Sequence, residues 1–217
     1  MFVDDGSFPP ILASAPVRSM RAFRVLDDIP WNQPGARNLG ALNASGEWIL
    51  FHDIDHFISY QNTSDILSQL DSLNPMRMYR FSRAYLNSDA AIASHMNTFL
   101  IRKELFVSLG GYDSDFSGNY AFDDTFFDDV FRLANGKVSM LTSIVVRVDE
   151  TLITKNLSRD LSVNSLLRKK KLRELRRRKL RRILNPFTLL KLLFGSLIYL
   201  RPRLVLGDLE FQWTITK

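Results

Sequence analysis

Gln33 to His56, QPGARNLGALNASGEWILFHDIDH, is the stretch whose reading decides the fold. Pro34-Gly35 punctuates its entry, and Ala36, Leu39 and Leu42 recur at helical spacing, which predicts a helix. Gly46 stands where that helix is expected to stop, because a residue without Cβ takes up positive φ at little steric cost. Trp48-Ile49-Leu50-Phe51 is an unbroken apolar run, as a strand covered on both faces would be. The run leads into His52-Asp53-Ile54-Asp55-His56. A strand's side-chain period is two, so Asp53 and Asp55 are expected to emerge on one side, beyond the carboxyl end of a strand, where open α/β sheets bind ligands. Two carboxylates placed together repel unless a cation joins them, and hard divalent ions take oxygen ligands. The chemical reading is a Mg²⁺ or Mn²⁺ site that also holds a diphosphate. Aspartates at a strand end are also ordinary turn chemistry, so the pair by itself leaves a solvated loop open.

The residues around the pair narrow the choice. Arg37-Asn38, Gly46-Glu47-Trp48-Ile49 and Asp53-Ile54-Asp55 resemble the segment of family 2 glycosyltransferases that runs from an Arg-Asn helix into a metal-binding Asp-x-Asp motif. The resemblance implies that Asp53 and Asp55 hold the metal, that Asp53 also lies against the donor, and that Arg37 and Asn38 support its base or phosphates. For Arg37, a salt bridge to Asp27 or Asp28 is the structural alternative. Upstream, Phe2-Val3-Asp4-Asp5-Gly6-Ser7 reads as a strand end entering a polar turn, which a solvated Asp-Gly turn explains equally well. It is similar to the family's Val-Asp-Asp-Gly-Ser motif, whose first Asp contacts the base of the sugar nucleotide. That resemblance implies a donor-binding role for Asp4, with Asp5 beside it. The family carries another strand and helix ahead of this motif. Their absence here implies either a fragment or some other cover for that sheet edge.

Downstream, Leu109-Gly110-Gly111-Tyr112-Asp113 precedes Phe116, Gly118 and Ala121-Phe122-Asp123-Asp124. Paired glycines permit a tight turn close to a bound substrate. Asp123-Asp124 then opens a predicted helix, where acids complement the dipole by roughly 0.3–1 kcal/mol. Asp128 and Asp129 lie deeper, and Asp124 and Asp128 are like charges four residues apart, an arrangement costing roughly 0.2–0.5 kcal/mol. A site that needs negative charge explains them, and so does Arg132. The block resembles the family's Gly-Gly-aromatic-Asp…Glu-Asp-x-x-x-x-x-Arg-Leu pattern, with Asp123 in place of the Glu and Ala121 in place of a Gly. In inverting members the acid pair supplies the general base, which implies that role for Asp124, with Asp123 as its neighbour.

Elsewhere the sequence predicts an amphipathic helix over Thr63–Leu73 with Ile66, Leu67, Leu70 and Leu73 on one face. Strands are expected over Met76–Phe81 and Thr98–Ile101, and two short strands over Lys137–Val148. Ser82–Asn97 corresponds to the acceptor-side region of the resembled family. His95 lies within it; a lone histidine is more often a surface or core residue than a ligand.

The chain has 217 residues, 46% of them apolar, which allows one sizeable core plus an appendage. It has no cysteine, which removes disulfides, thiolate metal sites and a cysteine nucleophile and fits a reducing compartment. No signal peptide is visible. The net charge of +6 conceals a division: Arg168–Arg182 carries +10, so the rest sums to −4. Leu166–Arg182 reads as a basic helix and Ile183–Leu200 as an apolar stretch broken by Pro186, Lys191 and Gly195, too interrupted for a membrane span. The pair suits an anionic bilayer surface, or else a charged helix followed by one packed on the body. Nucleic acid is disfavoured, since no aromatics interleave the basic run. Leu209, Phe211, Trp213 and Ile215 alternate, as in a final strand.

The expected fold is α/β, of the nucleotide-diphospho-sugar transferase (GT-A) type. Its Rossmann-like, mostly parallel sheet is flanked by helices, with a catalytic domain over 1–150 and a helical basic and apolar extension over 151–217. The expected activity is inverting, metal-dependent transfer of a sugar from a nucleotide diphosphate donor to a hydroxyl acceptor, on a glycan or lipid-linked glycan. Such an enzyme would act in the cytoplasm, peripherally at the inner membrane surface, in polysaccharide biosynthesis. The competing expectation is a non-catalytic remnant of the fold that binds through its basic tail.

Overall fold

The computed structural model describes residues 1–8, 21–27, 29–88, 90–149, 159–183 and 213–216. The apolar stretch expected over 184–200, and Leu209 and Phe211 of the alternating tail, lie outside them. The chain begins with β1 (Phe2–Asp4) and β2 (Ala22–Val25), crosses through helix α1 (Gln33–Asn43) into β3 (Trp48–Phe51), and turns into the short β4 (His56–Phe57). Helix α2 (Tyr60–Gln69) follows, then β5 (Arg77–Tyr85), β6 (Ala91–Ile92), β7 (Phe99–Arg102) and α3 (Lys103–Ser108). Helix α4 (Asp123–Leu133), β8 (Lys137–Val148), α5 (Ser162–Ile183) and β9 (Trp213–Thr216) complete the described elements.

The α/β class is as the sequence predicts, but the sheet is mixed rather than mostly parallel. One sheet has the order β1-β2-β9 and the other β3-β7-β5-β8-β4, with β6 on β5. Only β1-β2 and β5-β8 pair in parallel among the described strands; the other pairings are antiparallel. A strand covered on both faces is apolar throughout whichever way its neighbours run, so the pattern of residues 48–51 says nothing of their direction. β9 pairs antiparallel with β2, so Trp213–Thr216 closes one edge of the smaller sheet.

The larger sheet is a central layer. Ile49 and Phe51 of β3, Met78 of β5, and Phe99 and Ile101 of β7 point into an aromatic-rich core shared with Ala41, Phe106, Tyr112, Phe126, Phe127 and Phe131 from the helices and loops. The alternate residues Trp48, Leu50, Tyr79, Phe81 and Leu100 point the other way, against Ile66, Ile144 and Val146. Both faces of β3 are therefore covered, as its apolar run predicts, and each buried large side chain contributes roughly 1.5–3 kcal/mol.

Local expectations differ in instructive places. Helix α1 ends in an extended Ala44 rather than at Gly46, which is not among the positive-φ residues. Helix α2 starts earlier than expected, capped by the Ser59 hydroxyl, and Leu67 is exposed. Lys137–Val148 is one strand, not two. Its pairing with β5 shifts register between Phe81 and Ser82, and the bulge there gives it the look of two segments in sequence.

Helix α5 seats one face on the body. Leu167, Leu172 and Leu175 pack against the main core, and the buried Asn164 side chain lies among backbone carbonyls at 2.8–3.4 Å, those of Phe116, Asn119, Tyr120 and Ala121. Among the described residues, no helix is long and apolar enough to cross a membrane.

Candidate functional site

Arg37 is the hub on which the separate sequence blocks converge. Helix α1 carries it into the interior, and its stem is as buried as its charge allows because the guanidinium finds partners on three sides. It pairs with Asp53 beyond β3, donates to the Asn97 carbonyl at 3.0 Å, and sits 5.5 Å over the Tyr112 ring and 5.6 Å over that of Phe51. Its ion-pair partner is thus the first aspartate of the metal motif. Asp28, one of its two expected partners, lies outside the described residues. Gln33, one turn before Arg37, donates to the same Asp53 oxygen at 3.3 Å.

Asp53 and Asp55 do not stand on a strand. β3 ends at Phe51, and both aspartates lie in the turn that follows, closed by the His56 amide donating to the Asp53 carbonyl at 3.1 Å. The turn, not the pleat, brings them to one side. With His56 they form a group whose ligand atoms all lie within 4.8 Å of one another, a donor set that fits a divalent cation. Burial alone would raise the Asp53 carboxyl, but the His95 hydrogen bond and the charges of Arg37, His95 and His56 outweigh it and bring it down to about 2. The carboxylate is therefore ionised across the physiological range. His56 is held by Asp55 at 2.8 Å on one side of its ring and by Arg83 at 2.9 Å on the other. Sequence reading assigned no role to His56 or Arg83: Arg83 lies on β5 and reaches the site only through the β5-β8-β4 pairing.

The acid pair opens α4 as expected. Asp123 is buried, with one carboxylate oxygen (Oδ2) lacking a hydrogen-bond partner. Burial first, then the neighbouring Asp124 charge, push its carboxyl up to about 6, and Arg37 partly opposes them. Asp124 is more exposed and takes the Thr125 hydroxyl at 3.0 Å. Asp128 and Asp129 are accounted for without a ligand. Asp128 bridges Arg80 and Arg132, both at 2.7 Å, and Asp129 meets Arg168 of α5 at 2.6 Å. Those cations remove the repulsion that the spacing of Asp124 and Asp128 suggests.

Two expected donor-binding residues have structural partners. The Asn38 amide clamps the Gly111-Tyr112 turn, accepting from the Tyr112 N–H at 2.9 Å and donating to its carbonyl at 2.7 Å. Gly111 has φ +67°, and a Cβ there would meet Asn38 Oδ1 at 2.6 Å. Asp4 is buried and caps its own turn: Oδ1 accepts the Ser7 amide at 2.8 Å and Oδ2 meets Arg24 at 2.6 Å. Asp5 follows it in that turn, half-buried, its carboxyl raised chiefly by burial.

No family model matches the chain. No curated protein matches it. Among solved structures, it is similar to GalNAc-T7 with UDP, GalNAc and Mn²⁺, at 12% identity and a TM-score of 0.45, over 59% of this chain and 32% of that one. It is also similar to a mutant of Drosophila β-1,4-galactosyltransferase 7 in complex with manganese, UDP-Gal and xylobiose, at 15% identity and a TM-score of 0.40, over 65% of this chain and 52% of that one. The chain thus spans about a third of the first and about half of the second.

Proposed function

We propose that this chain is a metal-dependent glycosyltransferase that moves a sugar from a nucleotide diphosphate donor to a hydroxyl acceptor with inversion. The observation that carries the reading is the meeting of two sequence blocks, 33–56 and 109–124, at one place. Arg37 touches both Asp53 and Tyr112, and its charge bears on Asp123 at the start of α4. Asp53 and Asp55 would hold a Mg²⁺ or Mn²⁺ ion, which when bound supplies Lewis-acid stabilisation of a departing diphosphate. Arg37 fixes Asp53 and keeps it ionised. Asp124, the more open member of the acid pair, takes the proton of the acceptor hydroxyl. Asp123, behind it, sets the local field. The turn from Asp4 to Ser7, held by Arg24, forms the floor for the base, with Asp5 as the freer carboxylate. Lys169, Lys170, Arg173, Arg176, Arg177 and Arg178 on the exposed face of α5 suit the anionic surface that a lipid-linked acceptor would offer.

Release of nucleoside diphosphate from a panel of uridine and guanosine diphosphate sugars, with Mn²⁺ and with saccharide acceptors, tests the reading. Asp124→Asn is expected to lower turnover by about 10²–10⁴-fold while leaving donor binding intact. Donor binding without release from any sugar would instead describe a binding protein of this fold.

A further inference from the structure

Of the two histidines beside the aspartate pair, His56 is adjacent in sequence, yet both of its ring nitrogens are committed. A guanidinium only donates, so the Arg83 contact at 2.9 Å makes Nε2 an acceptor, and the proton sits on Nδ1, which donates to Asp55 at 2.8 Å. A ring bound on both sides in this way orients a ligating carboxylate, as outer-shell partners of metal sites do.

His95 is placed differently. It arrives from the segment that enters β7, its ring 5.3 Å from that of His56 and its side chain 37% exposed, so an ion can approach it from solvent. Its Nδ1 lies 3.3 Å from Asp53 Oδ2, and the Asn97 amide also points at this nitrogen from 3.3 Å. One nitrogen cannot accept the amide's hydrogen and donate to the carboxylate at the same time. In the metal-free site Nδ1 donates to Asp53 Oδ2, and a divalent ion would take the place of that proton. Two ligand atoms each about 2.0–2.2 Å from one divalent ion stand about 3–3.4 Å apart along the edge of its coordination shell, and the observed separation lies in that range.

We propose that His95, and not His56, gives a nitrogen ligand to the ion held by Asp53 and Asp55, and that this ligand makes the site favour Mn²⁺ over Mg²⁺. The proposal rests on the metal-dependent reading above. Coordination exchanges the His95–Asp53 hydrogen bond for a pair of metal bonds, one to each partner. Mg²⁺ prefers an all-oxygen shell, whereas imidazole suits transition ions, so the nitrogen discriminates between the two.

The test is titration of the purified chain with Mn²⁺ and with Mg²⁺, without nucleotide, combined with pulsed electron paramagnetic resonance of bound Mn²⁺. Wild type is expected to show ¹⁴N coupling from an imidazole and a preference for Mn²⁺. His95→Ala is expected to lose the coupling and to weaken Mn²⁺ binding by about tenfold or more, with little change for Mg²⁺. His56→Ala is expected to retain the coupling. Mn²⁺ bound with no nitrogen coupling, or coupling lost in His56→Ala and kept in His95→Ala, overturns the assignment while the aspartate pair stands. No Mn²⁺ binding, or binding indifferent to Asp53→Ala, overturns the metal site itself and the His95 assignment with it.

Discussion

Asp123 shows how one buried carboxyl couples folding to pH. Its folded-state pKa of about 6 lies above the model-peptide value of 3.8, so the folded protein holds a proton that the unfolded chain has already released. The stabilisation is fully present below about pH 4 and is lost as pH rises through about 6, an effect of about 2–3 kcal/mol. Asp123→Asn keeps the shape and removes the titration. Chemical denaturation of both proteins at pH 4 and pH 7.5 is expected to show wild type losing stability relative to the variant on going to the higher pH. A constant difference would mean that Asp123 ionises normally. Two residues earlier, Ala121 and Phe122 have φ of +70° and +69°, a left-handed conformation that costs a residue with a Cβ roughly 1–2 kcal/mol. Ala121→Gly is therefore expected to raise stability by roughly 0.5–1 kcal/mol, because the relief exceeds the entropy a glycine adds to the unfolded chain. The residue types at these places are legible in the sequence. Their partners are not. Nothing in the spacing of Arg37 and Asp53 says that they touch, and nothing near Asn38 says that its amide is spent on the Tyr112 backbone.

Helix α5 combines an exposed basic face with a packed one. Arg168 and Lys171 are spent on Asp129, Asp113 and Asp115, and Leu167, Leu172 and Leu175 pack against the main core. Deleting it would test folding, not surface binding. Replacing Arg173, Arg176, Arg177 and Arg178 together by Gln leaves the packed face untouched. That variant is expected to keep its melting temperature and to lose affinity for anionic vesicles, at roughly 1 kcal/mol per charge, in a sedimentation assay. Unchanged vesicle binding would end the surface assignment. Asn164→Ala, by contrast, strands carbonyls of the loop leading to Asp123, and a loss of about 2 kcal/mol is expected in chemical denaturation. Periodicity locates α1, β3 and α4 because each has one dominant apolar pattern. It misses the single long β8, whose bulge breaks the alternation, and the direction of the buried strands, which alternation does not encode.

At the scale of the whole molecule, the fold takes Asp53 and Asp123, 70 positions apart, and brings the charges of both to bear on one guanidinium. The three motifs are legible in order and spacing. The convergence of the second and third depends on the central sheet and on the aromatic core packed between β3, β7 and α4, where Phe99, Tyr112 and Phe127 stack at 5.0–5.8 Å. The histidines at the site belong to the same category, since His95 reaches Asp53 only because β7 runs beside β3. The central claim is a donor site built on a metal held by the aspartate pair. Calorimetric titration with uridine and guanosine diphosphates, with and without Mn²⁺, tests it most directly. Binding that requires Mn²⁺ and disappears in Asp53→Ala and Asp55→Ala is the expected result. Nucleotide binding indifferent to Mn²⁺ and to both substitutions, or no binding with any metal, would contradict it.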